Sequence, residues 1–125
     1  MEEKNLSECE ELVIRVIWSS AEPLTMQEIT EKVNKRFGRS WSAKTVSVFL
    51  HRIVHKGYLT AERRGRIFYY HPIVKEEIYR EHVIKKCVDV WSDGRVDAFL
   101  AAFMQTRGLS EEEKTRIRGM IDAME

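Results

Sequence analysis

Between Ser40 and Gly57 the chain reads SWSAKTVSVFLHRIVHKG, and this stretch restricts the possible fold more than any other. Ser42 is a good helix N-cap, because its hydroxyl can accept from an orphan backbone N–H. Val46, Phe49, Leu50 and Ile53 then recur at helical spacing and define one apolar face. Gly57 follows as a residue that ends helices. The opposite face carries Lys44, Ser47, Val48, His51 and His55, and no acid occurs from Lys32 to Ala61. A short helix with a core side and an acid-free polar side suits the major groove of DNA. Taken alone it would better suit a solvated amphipathic helix, and the flanking segments change that reading.

Upstream, Ser7 and Glu10 form a capping box, S-x-x-E, that opens a first helix with Leu12, Val13, Val16 and Ile17 as its buried stripe. Ser19–Pro23 breaks it. Thr25 and Glu28 form a second capping box, and the helix they start buries Met26, Ile29 and Val33 before Gly38 stops it. A short Gly-containing loop then leads to the helix after Ser42, which is the connection a helix-turn-helix requires. Downstream, Tyr58–Arg63 and Ile67–Pro72 are rich in β-formers, with Arg64-Gly65-Arg66 between them. This predicts a β-hairpin with a basic tip. The order of these parts predicts a mainly α protein with a small β-hairpin wing: a winged helix-turn-helix domain over residues 1–72.

From Val74 to Trp91 the period is again helical. A turn at Ser92–Gly94 precedes a strongly apolar helix with Val96, Phe99, Leu100, Phe103 and Met104. Gly108 ends it, and a third capping box, Ser110 with Glu113, opens a last helix lined by Ile117, Met120, Ile121 and Met124. Residues 73–125 are too few to bury so wide an apolar surface alone. We expect them to form a C-terminal helical dimerisation domain, with Ile78, Val83, Val96, Phe99, Leu100, Phe103, Met104, Ile117, Met120 and Ile121 in the interface. The winged helix, residues 1–72, is expected to fold without this tail.

The formal charge of +1 is uninformative, but its distribution is not. Residues 1–31 carry −6, residues 32–66 carry +9 from ten basic residues and one acid, and residues 67–125 carry −2. Such a concentrated basic third is the footprint of phosphate contact. Lys44 and Thr45 stand in the first turn of the helix after Ser42, where backbone N–H groups favour a phosphate. Ser47, Val48 and His51 are placed to read base edges, Val48 through a thymine methyl. Arg52 flanks them, as a clamp on the DNA backbone or a surface ion pair. Arg63, Arg64 and Arg66 suit phosphates or a narrow minor groove.

Other functions find little support. His51 and His55 have metal-ligand spacing but no third ligand near in sequence, so no metal and no cofactor is expected. Cys9 and Cys87 stand apart from any CxxC pair and read as reduced packing residues. No nucleophile is paired with a base and no Gly-rich loop cradles phosphate, so an enzyme is not expected. The chain has no apolar run long enough to span a membrane, and a cytoplasmic location is expected. Alternatives to DNA binding are a protein-interaction adaptor on the same fold, or a ligand-sensing regulator. The second would need an apolar pocket with convergent polar groups.

Several short motifs resemble the penicillinase-repressor family, which includes methicillin-resistance and copper-transport repressors. They are Leu6-Ser7 with Glu10 or Glu11, Val16-Ile17-Trp18, Pro23-Leu24-Thr25 with Glu28-Ile29, and Trp41-Ser42 with Thr45-Val46. Arg52-Ile53-Val54, Lys56-Gly57-Tyr58-Leu59 and Arg64-Gly65-Arg66 with Tyr69-Tyr70 complete the pattern. The resemblance implies a winged-helix repressor that binds inverted repeats in double-stranded DNA as a C-terminal homodimer. Copper-responsive members end in a cysteine-rich motif, whereas this chain ends Asp122-Ala123-Met124-Glu125. Members that respond to β-lactams are inactivated by a membrane sensor protease that cuts between Asn and Phe. Ala102 and Phe103 stand at the matching positions here, so the Phe is kept and the Asn is not.

Overall fold

A computed structural model of the protein describes residues 5–125. In chain order the elements are α1 (Glu8–Trp18), β1 (Leu24–Thr25), α2 (Met26–Phe37), α3 (Ala43–His55), β2 (Leu59–Arg64), β3 (Ile67–Pro72), α4 (Glu76–Ser92), α5 (Val96–Thr106) and α6 (Glu111–Ala123). They form two compact units, one running to Arg80 and the other from Glu81 to Glu125.

Local sequence sets most helix starts in the first unit. Ser7 and Thr25 each accept from the N–H three residues on, while Glu10 and Glu28 reach back to the cap backbone. Ser42 caps α3 in the same way without the reciprocal acid. α1 packs against α2 and α3 through Val13, Ile14, Val16, Ile17, Ile29, Val33, Val46, Leu50 and Ile53, all essentially inaccessible to water. Ile14, which the expected stripe left out, is fully buried, and Leu12 lies at the margin.

The sheet has the order β1-β3-β2 and is antiparallel throughout. The hairpin was expected; β1 was not. Its two residues pair Leu24 with Tyr70 and Thr25 with Tyr69, so the residue that caps α2 is also a rung of the sheet. This ties the hairpin to the helix-turn-helix. Arg64 belongs to β2 rather than to the turn, which leaves Gly65 and Arg66 alone at the tip. Tyr58 lies just before the strand and is fully buried beside Leu59. Gly57 has φ +90°, a backbone that side chains disfavour, and this releases the chain from α3 into the hairpin.

The first unit runs past Pro72 to Arg80, and residues beyond the expected boundary pack into its core. Trp18 Nε1 donates to the Val74 carbonyl at 2.9 Å. Tyr79, on the first turn of α4, is 7% exposed and meets Trp18 at 5.6 Å and Tyr58 edge-on at 5.4 Å between ring centres. Its hydroxyl donates to Glu11 at 2.6 Å. Burial first, then the Glu11 carboxylate, raise the Tyr79 phenol well above its ordinary value. Aromatic burial of this size, with the polar tip satisfied, belongs to a core.

In the second unit, Ser110 and Glu113 form the expected capping box and start α6. The Ser110 N–H and the Arg107 guanidinium hold the Glu113 carboxyl down to about 2. No residue of α5 or α6 is buried.

Candidate nucleic-acid interface

The turn between α2 and α3 is built from the side chain of Asn34. Its amide donates to the Trp41 carbonyl at 2.9 Å, and its oxygen accepts from the Trp41 N–H at 3.0 Å. Gly38 closes α2 in the left-handed region, φ +63°. The Trp41 ring then packs on Phe49 at 5.0 Å between ring centres, and the Arg39 guanidinium lies over the Trp41 ring, 5.8 Å from its centre. These contacts fix where α3 begins. The burial of Val46, Leu50 and Ile53 fixes its rotation. What remains outward is Lys44, Val48, His51, Arg52 and His55, all exposed, with Thr45 and Ser47 half-buried at the two margins. The Thr45 hydroxyl accepts from Ser42 at 3.1 Å, so it is partly engaged in the cap. Val48 is 44% exposed, an apolar patch centred among polar groups.

The charge of Arg52 adds slightly to the lowering of the Glu10 pKa. Glu10 is 2% exposed and accepts from the Ser7 N–H and, at 2.6 Å, from Lys56 Nζ. Burial alone would raise this carboxyl, but Lys56, the Ser7 N–H and Arg52 together hold it below the ordinary range. Lys56 also donates to the Asn5 carbonyl at 2.9 Å. The Lys56-Gly57-Tyr58-Leu59 motif is therefore structural: an ion pair, a positive-φ turn and two core side chains.

On the wing, Arg63, Arg64 and Arg66 are all exposed. Two of them are already engaged within the wing. Arg63 Nε donates to the Gly65 carbonyl at 2.8 Å across the turn. Arg64 donates through two nitrogens to Glu62 and lies 4.6 Å over the Tyr69 ring. Arg66 makes no hydrogen bond or ion pair among the described residues. Gly65, φ +66°, occupies the first of the two turn positions, the one that a II′ hairpin reserves for glycine. Ile67 and Phe68 beside the tip are about half exposed, at 52% and 47%.

Sequence reasoning passed over Arg39. It stands in the turn that delivers α3, and it counted towards the basic third without being singled out. Lys32, Lys35 and Arg36 extend the same charge along α2, beside a cleft with Val16, Ser19 and Ser20; Arg36 is held there by the Ser19 hydroxyl at 2.9 Å. This cleft and a second one, beside Glu111, Glu112, Thr115 and Arg116, are open, and each is bordered by three charged side chains. Among the described residues no three His, Cys, Asp or Glu side chains gather as a metal site, and Cys9 and Cys87 are both free and half-buried. No helix among the described residues is long and apolar enough to cross a membrane.

The expected dimerisation residues lie on exposed or half-buried helix faces. Ile78 falls within the first unit; the others fall within the second. Val90 and Trp91, exposed at 57% and 82%, and Ile84 at 54%, belong with them on exposure and were left out. Ala102 and Phe103 are exposed and lie inside α5.

A capped three-helix unit, a three-stranded sheet and an arginine-bearing hairpin define a winged-helix DNA-binding protein. Comparison with known proteins agrees: the family profile described as "Penicillinase repressor" matches residues 6–123. The penicillinase repressor of Bacillus licheniformis is 29% identical over 108 residues, covering 86% of this chain and 82% of that protein. The methicillin resistance regulatory protein MecI of Mammaliicoccus sciuri is 23% identical over 117 residues, covering 94% and 93%. The solution structure of the Bacillus licheniformis BlaI monomeric form in complex with the blaP half-operator matches with a TM-score of 0.51 and 31% identity, over 62% of this chain and 92% of that one. The chain belongs to the penicillinase repressor family. It is a transcriptional repressor, not an enzyme.

Proposed function

We propose that two copies of the chain bind an inverted-repeat operator, with α3 of each copy in the major groove and the wing beside it. The observation that carries this is the outward, acid-free face of α3 together with the exposed arginines of the wing. The BlaI monomeric form in complex with a half-operator supports it, because one winged helix of this family there meets one half-site. In this reading Lys44, Thr45, Arg39 and the wing arginines position the protein on phosphates, and Ser47, Val48 and His51 read bases. Arg52, exposed on α3, flanks the readout as a clamp on the DNA backbone.

The second unit supplies the dimer. Its apolar side chains are exposed in a single copy, Trp91, Met124 and Met120 most of all, at 82%, 77% and 63%. A patch of this kind marks a protein interface. The operon under control is one for resistance or stress response, as the names of its relatives suggest, and the DNA partner implies a cytoplasmic location. Release by a membrane sensor protease at Ala102–Phe103 belongs to the same proposal. The bond lies within α5, so a protease would have to unwind about a turn of helix to reach it.

The test is selection of duplexes from a random library by the full-length protein, followed by sedimentation. The expected outcome is a motif with two half-sites related by a dyad, about one helical turn or a multiple of it apart, bound by a dimer. A lone half-site, or no enriched motif, would overturn the proposal. Ser47→Ala should then cost roughly 1–3 kcal/mol at one base pair per half-site. A uniform loss over all operator variants would assign Ser47 to the DNA backbone instead.

A further inference from the structure

Residues 32–75 contain one acidic side chain, Glu62, and it stands on the wing. Its two carboxylate oxygens accept from one guanidinium, from Arg64 Nε at 3.2 Å and Arg64 Nη2 at 3.4 Å. The strand register explains the cluster. Glu62 is opposite Tyr69, Arg64 opposite Ile67 and Thr60 opposite His71, which puts Glu62, Arg64, Tyr69 and His71 on one face of the hairpin. On that face Arg64 lies 4.6 Å over the Tyr69 ring, and His71 Nε2 is 3.7 Å from Glu62. Glu22, before β1, adds negative charge towards Arg64.

Glu62 and Arg64 are about half exposed, at 48% and 52%, and an ion pair so placed contributes little to stability. On a wing that meets phosphates, a carboxylate also repels the ligand. What the pair does accomplish is to fix one long side chain, by bidentate pairing on one edge and ring contact on its face. We propose that Glu62 is a specificity-determining residue that holds Arg64 against Tyr69 and withholds it from the phosphates of non-cognate DNA. This rests on the DNA-binding reading of the wing given above. On a cognate site, docking of α3 brings the wing close enough for phosphate to take over the guanidinium. On random DNA the clamp stays shut, and Arg66 is the arginine left free to make contact.

The experiment compares full-length wild type and Glu62→Gln by fluorescence anisotropy, on a random-sequence duplex and on the duplex that the wild type selects, over a range of salt. Glu62→Gln is expected to tighten binding to random duplex about fivefold at roughly 0.1 M salt, and to steepen its salt slope by about 0.9, the value of one phosphate contact. The gain on the selected duplex is expected to be smaller, so the ratio of specific to non-specific affinity falls. In an Arg64→Ala background most of the gain should vanish. Unchanged binding to random duplex, an equal gain on both duplexes, or a gain that persists undiminished without Arg64 would each overturn the inference. If the wild type, folded by circular dichroism, binds neither duplex at low salt, the DNA-binding reading itself falls, and the clamp with it.

Discussion

From Glu81 onward 20 of 45 residues are apolar, close to the 43% of the whole chain, yet among the described residues the fourteen buried apolar ones all lie between Leu6 and Tyr79. The first unit closes three helices and a sheet around one core. The second has the same supply of apolar side chains and leaves Val90, Trp91, Val96, Leu100, Phe103, Met104, Met120 and Ile121 exposed. Composition therefore does not say which segment is self-sufficient. Two short helices and the later part of α4, in 45 residues, cannot enclose their own apolar faces, and α4 carries apolar residues all round rather than on one stripe. Such a unit fits the dimer interface proposed above. The first unit, by contrast, closes its own core and leaves the polar face of α3 outside.

The largest effect that would sharpen this contrast is expected from a chain ending at Ala102. Removing Phe103, Met104 and α6 takes away several large apolar groups, each worth roughly 1.5–3 kcal/mol when buried. Dimerisation should weaken at least about a hundredfold, at about tenfold for each 1.4 kcal/mol, and affinity for a two-site operator should fall with it because the linked second site is lost. Sedimentation and operator titration measure this, while the melting of the first unit should not move. Equal dimerisation would mean that the exposed faces of the second unit are not the interface.

Tyr79→Ala and Trp91→Ala set the two units against each other directly. Tyr79 is buried and bonded to Glu11, and its loss should destabilise the first unit by about 3–5 kcal/mol in a denaturant melt. Trp91, the more exposed aromatic, should leave that melt unchanged and weaken the dimer instead. If both variants behaved alike, the boundary near Arg80 would have no energetic meaning.

The Glu10–Lys56 pair tests the polar part of the same core. Lys56→Ala leaves a carboxylate that is 2% exposed without its cation, and should cost about 3 kcal/mol. The pH dependence has a definite sign. Glu10 has a lower pKa folded than unfolded, so the unfolded chain takes up its proton first as pH falls. Its contribution is fully present above about pH 4.5 and is lost as pH falls towards the folded value. In Lys56→Ala, burial then opposes the charge with less to offset it, and this acid limb should flatten. An unchanged limb would show that the Ser7 N–H and Arg52 suffice.

The smallest effect is expected at Ser110. Ser110→Ala removes the oxygen that caps α6 and should cost about 1 kcal/mol, seen as faster amide exchange at the start of α6. Loss of protection across the first unit as well would mean that the two units do not unfold separately.

What the sequence determined by itself was local or periodic. The three capping boxes, the N-cap at Ser42, the stop at Gly38, the apolar stripe of α3 and the hairpin around Gly65 each rest on residues within a few positions of one another. Near neighbours along a chain stay near whatever the fold does. The outward face of α3 was legible for the same reason, since burying Val46, Leu50 and Ile53 leaves Lys44, Val48 and His51 outside. What only the tertiary structure decided were the partners of polar and aromatic groups far apart in sequence. Glu10 meets Lys56, Glu11 meets Tyr79, Trp18 meets Val74, and Leu24 pairs with Tyr70. No periodicity encodes these pairs, because a buried charge or indole takes whichever partner the packed helices bring within reach. The wing arginines show the same limit at close range. Their number was plain in the sequence, but that Arg64 is turned onto Glu62 and Tyr69 while Arg66 stays free depends on which side chains the strand register places on one face.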